Sequence, residues 1–253
     1  MTMKGWKPWV LLALLGAASW AHAEVSRTEE FNYPLNDGGR VSLSNINGDI
    51  RVTGGNDGAV TIVATRRANS EEALERLKVV IDASPDAIII ETRRPESRWS
   101  WNNSGGGSVA YELTVPESAR LDGVSTVNGD VTVSGVGGEV RAETVNGDLE
   151  LDGLAADAGL DTVNGAIRAR FSRVGGNQRI SADTVNGRIE LDLPADTSAR
   201  VTADTLNGGM DVGDFGLEVD KGYVGREVDG DIGSGDARIK LDTVNGTIRL
   251  RRY

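Results

Sequence analysis

Thr126-Val127-Asn128-Gly129-Asp130-Val131-Thr132-Val133 decides the fold, because the chain keeps returning to it. The phrase recurs as Thr144-Val145-Asn146-Gly147, Thr162-Val163-Asn164-Gly165, Thr184-Val185-Asn186-Gly187, Thr205-Leu206-Asn207-Gly208 and Thr243-Val244-Asn245-Gly246. Alternating apolar residues follow it, such as Leu149 and Leu151 or Ile248 and Leu250. Asn-Gly reaches positive φ cheaply and marks a tight bend, while the β-branched, period-two residues around it suit a pleated strand with one buried face. Two-residue hairpins would carry the same signal. The spacing argues against them: Asn128 to Asn146 and Asn146 to Asn164 are each 18 residues, and the steps to Asn186 and Asn207 are 22 and 21. A period of about twenty residues reads as stacked coils in which like residues form columns. The expected fold class is therefore all-β, a parallel β-solenoid of short coils.

In the coil from Val127 to Thr144 the expected inward residues are Val127, Val131, Val133, Val136, Val140 and Ala142. Val145, Val163 and Val185 are expected buried in one column, and Asn146, Asn164 and Asn186 close together in another. One coil alone buries too little apolar surface to offset about 1–2 kcal/mol of ordering entropy per residue, so the coils must stack. The asparagines are expected to form an amide ladder at the bend and the threonines hydroxyl pairs on the sheet face.

The residue before each threonine is Ser125, Glu143, Asp161, Asp183, Asp204 or Asp242, which implies an acidic column on the outside. Glu143, Asp161, Asp183, Asp204 and Asp242 are the candidates for calcium, a hard cation that prefers oxygen ligands. Like charges one strand apart, about 4.8 Å, repel by roughly 0.9 kcal/mol in water, which stacking offsets without metal. The phrase also lacks the paired glycines of the calcium-binding nonapeptide solenoids. A scaffold free of metal and cofactor is expected.

Residues 1–23 read as an export signal. Lys4 and Lys7 precede an apolar stretch from Val10 to Ala18, too short for a spanning helix, and Ala21-His22-Ala23 is a small-x-small cleavage site before Glu24. The expected organisation is this signal followed by one solenoid domain over 24–253, with N-terminal coils, helix and loop to 115 and the regular repeats from 116. Removing the signal takes two lysines and no acid, moving the net charge from −11 to −13. That field disfavours nucleic acid and anionic lipid. The chain has no cysteine, and its one histidine, His22, lies in the signal. A mature chain of this composition cannot build a Ser-His-Asp triad, a thiol nucleophile or the usual zinc site. Carboxylate chemistry of the glycoside-hydrolase kind survives as the enzymatic alternative.

Between the signal and the array, Val41–Leu43, 47–52, Val60–Ala64, Val79–Ala83, Ala87–Thr92 and Val109–Val115 read as strands, and Asn47-Gly48 as an early copy of the phrase. Ser70 to Lys78 reads as a short capping helix, with Ser70 as N-cap and Leu74 and Leu77 on one face. Two irregular stretches interrupt the pattern, Arg93 to Ser108 with Trp99 and Trp101, and Gly213 to Gly235 with Phe215 and Tyr223. Loops leaving a rigid scaffold commonly carry recognition, so these four aromatics are the candidate partner contacts. Val228–Ile232 within the second stretch is expected to form an irregular coil. Arg249, Arg251 and Arg252 on the final strand are expected to blunt an exposed edge.

The Asn-Gly-Asp-Ile early copy, the strand Tyr111-Glu112-Leu113-Thr114-Val115-Pro116 and the ending Leu241-Asp242-Thr243-Val244-Asn245-Gly246-Thr247-Ile248-Arg249-Leu250 resemble the bacterial putative-adhesin family of unknown function with β-strand repeats. That resemblance implies a β-solenoid exported to the cell envelope, with no catalytic residues to carry over. The expected function is a non-enzymatic scaffold of the periplasm, cell surface or exterior that binds an envelope protein or a glycan. The alternative is a carbohydrate-active β-helix enzyme using paired carboxylates.

Overall fold

A computed structural model describes residues 24–55, 58–94, 107–222 and 225–253; residues 1–23, read as the signal, lie outside it. The N-terminal part contains β1 (Val25–Pro34), β2 (Arg40–Ser44), β3 (Ile50–Gly55), β4 (Ala59–Ala68), α1 (Glu71–Arg76), β5 (Lys78–Ser84), β6 (Ala87–Arg93) and β7 (Gly107–Pro116). The array follows as strand pairs: β8 (Arg120–Asn128) with β9 (Val131–Ser134), β10 (Val140–Asn146) with β11 (Leu149–Leu154), and β12 (Ala158–Asn164) with β13 (Ile167–Phe171). The pairs continue as β14 (Arg179–Asn186) with β15 (Ile189–Leu193), then β16 (Ala199–Asn207) with β17 (Met210–Asp211). Last come β18 (Asp220–Lys221), β19 (Arg226–Ile232), β20 (Ala237–Asn245) and β21 (Ile248–Arg252).

The strands form two sheets, ordered β1-β4-β7-β3-β9-β11-β13-β15-β21-β17 and β18-β19-β16-β20-β14-β12-β10-β8-β2-β6-β5. Each coil passes from the second sheet to the first at its Asn-Gly bend, and like residues pair in parallel register, Thr144 with Thr162 and Asn146 with Asn164. The fold is the expected parallel β-solenoid. Its core lies between the sheets, where Val131, Val133, Val136, Val140 and Ala142 are buried.

Antiparallel strands close both ends. At one end β4 and β1 add to β7, and β5 adds to β6; at the other, β19 and β18 add to β16. Helix α1 packs on β1 and β4. Ser70 accepts a hydrogen bond from the Ala73 N–H at 3.1 Å, the expected N-cap, and Leu74 and Leu77 are buried.

Stacking order departs from chain order at two places. The coil β2/β3 sits between β6/β7 and β8/β9, and the last coil, β20/β21, sits between β14/β15 and β16/β17. The arginines of β21 therefore do not guard an outer edge: Arg251 pairs with Glu190 at 3.0 Å and Arg249 with Asp211 at 3.2 Å on the flanking strands. Val228–Ile232 is not a coil either. It belongs to β19, antiparallel to β16, because a strand that ends the stack can reverse direction where a continuing coil cannot.

The repeat phrase faces the opposite way from the expectation. Thr126, Thr144, Thr162, Thr184, Thr205 and Thr243 are buried, between 3% and 5% exposed, whereas Val127, Val145, Val163, Val185, Val244 and Leu206 are 39–50% exposed. The cause is parity, since Val140 and Ala142 point inward and the next inward position on that strand is Thr144. The threonines do not pair with each other. Each hydroxyl donates to a turn-glycine carbonyl of the neighbouring coil at 3.0–3.3 Å, as Thr162 does to Gly147. The asparagines form the expected ladder, Asn47-Asn128-Asn146-Asn164-Asn186-Asn245-Asn207, with each Nδ2 to Oδ1 distance between 2.7 and 3.0 Å.

Crowding, more than positive φ, explains the turn glycines. A Cβ on Gly165 would lie 1.8 Å from the Gly147 carbonyl oxygen, and one on Gly187 1.7 Å from that of Gly165. Thr162→Val is accordingly expected to cost about 1–2 kcal/mol by leaving the Gly147 carbonyl without its donor. Val163→Thr is expected to change stability by no more than about 0.5 kcal/mol. Gly165→Ala is expected to cost about 3 kcal/mol or more by wedging the coils apart. Urea denaturation of the three variants checks the order; a large loss from Val163→Thr would refute the outward valine column.

Candidate functional site

The parity that turns threonine inward turns its two neighbours outward, so the outer face of the second sheet carries two parallel columns. One is apolar, continuing Ile46, Val127, Val145, Val163, Val185, Val244 and Leu206 across successive strands. The other is acidic. Register places Glu143, Asp161, Asp183, Asp242, Asp204, Glu227 and Asp220 side by side on seven neighbouring strands. From Val127 onward they floor a groove of about 1190 Å³ running from β8 to the β18–β19 hairpin, where Gly222, Gly225 and Arg226 complete the lining.

The groove is nearly acceptor-only. Its strand backbone is paired in the ladder and its threonine hydroxyls are given to glycine carbonyls, which leaves a row of carboxylates bordered on one side by the valine column and on the other by the mixed column Arg141, Gly159, Ser181, Lys240 and Thr202. Packing the acids together disfavours their charged forms. Partial burial, then the neighbouring Asp242 and Asp161, pushes the Asp183 carboxyl up to about 6. Burial followed by Glu143 raises Asp161, and burial followed by Asp242 raises Asp204. Lys240 answers part of this charge with a 2.6 Å bond to Asp242, which raises the lysine in turn.

The five calcium candidates thus share one column, but they stand in single file. Among the described residues no group of three or more histidine or carboxylate side chains is gathered as a metal site. Trp99, Trp101 and Tyr223 lie outside the described residues, and Phe215 is half-buried against the core with the Arg252 guanidinium 5.9 Å above its ring. Sequence reasoning missed Ile46, Val127 and their column as an exposed surface, and Glu227 and Asp220 as its acidic extension. Counting parity from the alternating Val140 and Ala142 would have found the valines. The antiparallel return of β19 has no such signal.

Comparison with known proteins gives a family match. The Toastrack DUF4097 model matches residues 39–251. No curated protein matches the chain. Among solved structures, a putative cell adhesion protein from Clostridium sporogenes is 12% identical with a TM-score of 0.45, over 90% of this chain and 100% of that one. A putative adhesin from Bacteroides fragilis is 13% identical, TM-score 0.42, over 91% and 98%. A putative lipid binding protein from Parabacteroides distasonis is 12% identical, TM-score 0.33, over 88% and 96%.

The acidic column has a pH signature. From about pH 6 down to the ordinary aspartate value of 3.8, folded Asp183 holds a proton that the unfolded chain lacks, so this group adds stability as the pH falls through that window. Asp183→Asn removes the titration. The urea midpoint of the native chain minus that of the variant should therefore rise from pH 7 to pH 5; an unchanged difference would show that the column does not share charge.

Proposed function

The chain belongs to the Toastrack DUF4097 family, and from its groove we propose that it is a non-catalytic scaffold of the cell envelope or surface whose second sheet binds a partner, a protein or a glycan. The observation that carries this reading is the apolar column left exposed beside charge on a rigid sheet. Solvent-facing apolar side chains gathered in one contiguous strip mark interaction surfaces. Residues 1–23 act in this reading as the export signal, with the mature single domain beginning at Glu24. Among the described residues no helix is long and apolar enough to cross a membrane.

A glycoside hydrolase places two carboxyl groups on either side of the scissile bond. Here the acids stand side by side on one face, an arrangement that supports binding over hydrolysis. Envelope and plant polysaccharides incubated with the protein are expected to release no reducing ends.

Binding of the mature chain to isolated envelope fractions tests the proposal, with thermal melts run alongside. Val163→Lys with Val185→Lys should reduce binding about tenfold or more while the melting temperature stays within a few degrees, because both sites are exposed. Trp99→Ala with Trp101→Ala probes the loop as the competing contact. Full binding by the valine variant together with loss in the tryptophan variant would move the site from the groove to the loop.

A further inference from the structure

The groove's chemistry narrows the class of partner, on the premise that the groove is the binding face. We infer that its occupant is an extended, lysine- or arginine-rich polypeptide segment, whose charged ends meet the acidic column and whose aliphatic stems lie along the valine column. Three features of the groove lead there.

Charge is the first. Seven neighbouring strands each contribute one carboxylate. Among the described residues Lys240 bonds Asp242, Arg226 lines the groove's end, and Arg141, two residues before Glu143 on the same face, is paired with Asp122 and Glu139, so acids outnumber the cations beside them. Covering such a column strips water from the charges, a cost that neutral donors offset in part and that cations, which pair the charge as well as the hydrogen bonds, offset most fully. Anionic polymers are repelled outright.

Hydrogen-bonding capacity is the second. The surface accepts and hardly donates, so the complementary ligand is rich in donors and poor in acceptors. Ammonium and guanidinium groups have that inventory, with three and five N–H donors and no acceptor. A bare calcium ion seeks six to eight oxygen ligands in a shell, and a single file of carboxylates bordered by valine methyls does not supply one.

The apolar column is the third. Lysine and arginine bury their methylene stems on apolar surface while the charged head reaches outward, and here a valine row runs parallel to the acid row at the same spacing. No aromatic side chain lines the groove among the described residues, so the stacking platform that neutral sugars favour is absent there.

Fluorescence anisotropy with a labelled alternating arginine–alanine decapeptide tests the inference on the mature chain, with the glutamate–alanine counterpart and a chitosan oligomer as comparison probes. The arginine peptide should bind, and weaken with added salt. Asp183→Asn with Asp242→Asn should lower its affinity about tenfold, as should Val163→Ser with Val185→Ser at constant charge. Glu150→Gln, on the exposed face of the other sheet, should leave it unchanged. Equal loss in Glu150→Gln would overturn the inference by showing attraction to net charge alone. Tighter chitosan binding would overturn it in favour of a cationic glycan. Absence of peptide binding while envelope binding still depends on the valines would overturn the ligand class and leave the groove standing; absence of both would overturn the groove as well.

Discussion

The contact on which this structure depends is the approach of one turn glycine to the carbonyl of the next. At Gly147, Gly165, Gly187, Gly208 and Gly246 an added Cβ would fall 1.6–2.0 Å from the neighbouring coil's carbonyl oxygen, so the coils can stack at strand spacing only with hydrogen there. That carbonyl lies outside the regular ladder and needs a donor. The threonine three residues before each glycine provides it, reaching across to the adjacent coil from a buried position. The asparagine between them is tied to its own column. One four-residue phrase thereby sets the distance, the register and the hydrogen bonding of the whole stack.

The outward valines follow from the same contact. If threonine must face inward to reach the carbonyl, period-two alternation sends the residues on either side to the outer face. An exposed valine in one coil would be unremarkable. Repeated on successive strands beside a carboxylate, it becomes a continuous two-column surface whose rigidity comes from the ladders beneath it. The scaffold and the binding face are thus two sides of one repeat.

Much of this was legible in the sequence. The fold class, the Asn47 early copy, the amide ladder and the Ser70 cap all rest on local signals that tertiary context did not override. The valine column was not, because hydrophobicity alone assigns Val145 to the core; only the demand of a glycine carbonyl for a donor gives threonine the inner place. Two insertions in the stack were also hidden. Asn245 follows Asn207 in the chain but lies between Asn186 and Asn207 in the ladder, and a repeat phrase that fits any slot carries no label saying which. The acidic column was read correctly as far as the phrases extend, and its continuation through Glu227 and Asp220 depends on an antiparallel strand with no phrase at all.

The central claim is that the valine of each phrase lies on an open face while its threonine is locked inside. The chain has no cysteine, so a single introduced thiol reports its own site. The most direct measurement is the rate of maleimide labelling of Val163→Cys against Thr162→Cys in the native chain. Fast labelling at 163, slowed by bound envelope material, with labelling at 162 held to the rate of unfolding, is the expected result. Fast labelling at 162 with protection at 163 would contradict the inward threonine and, with it, the groove.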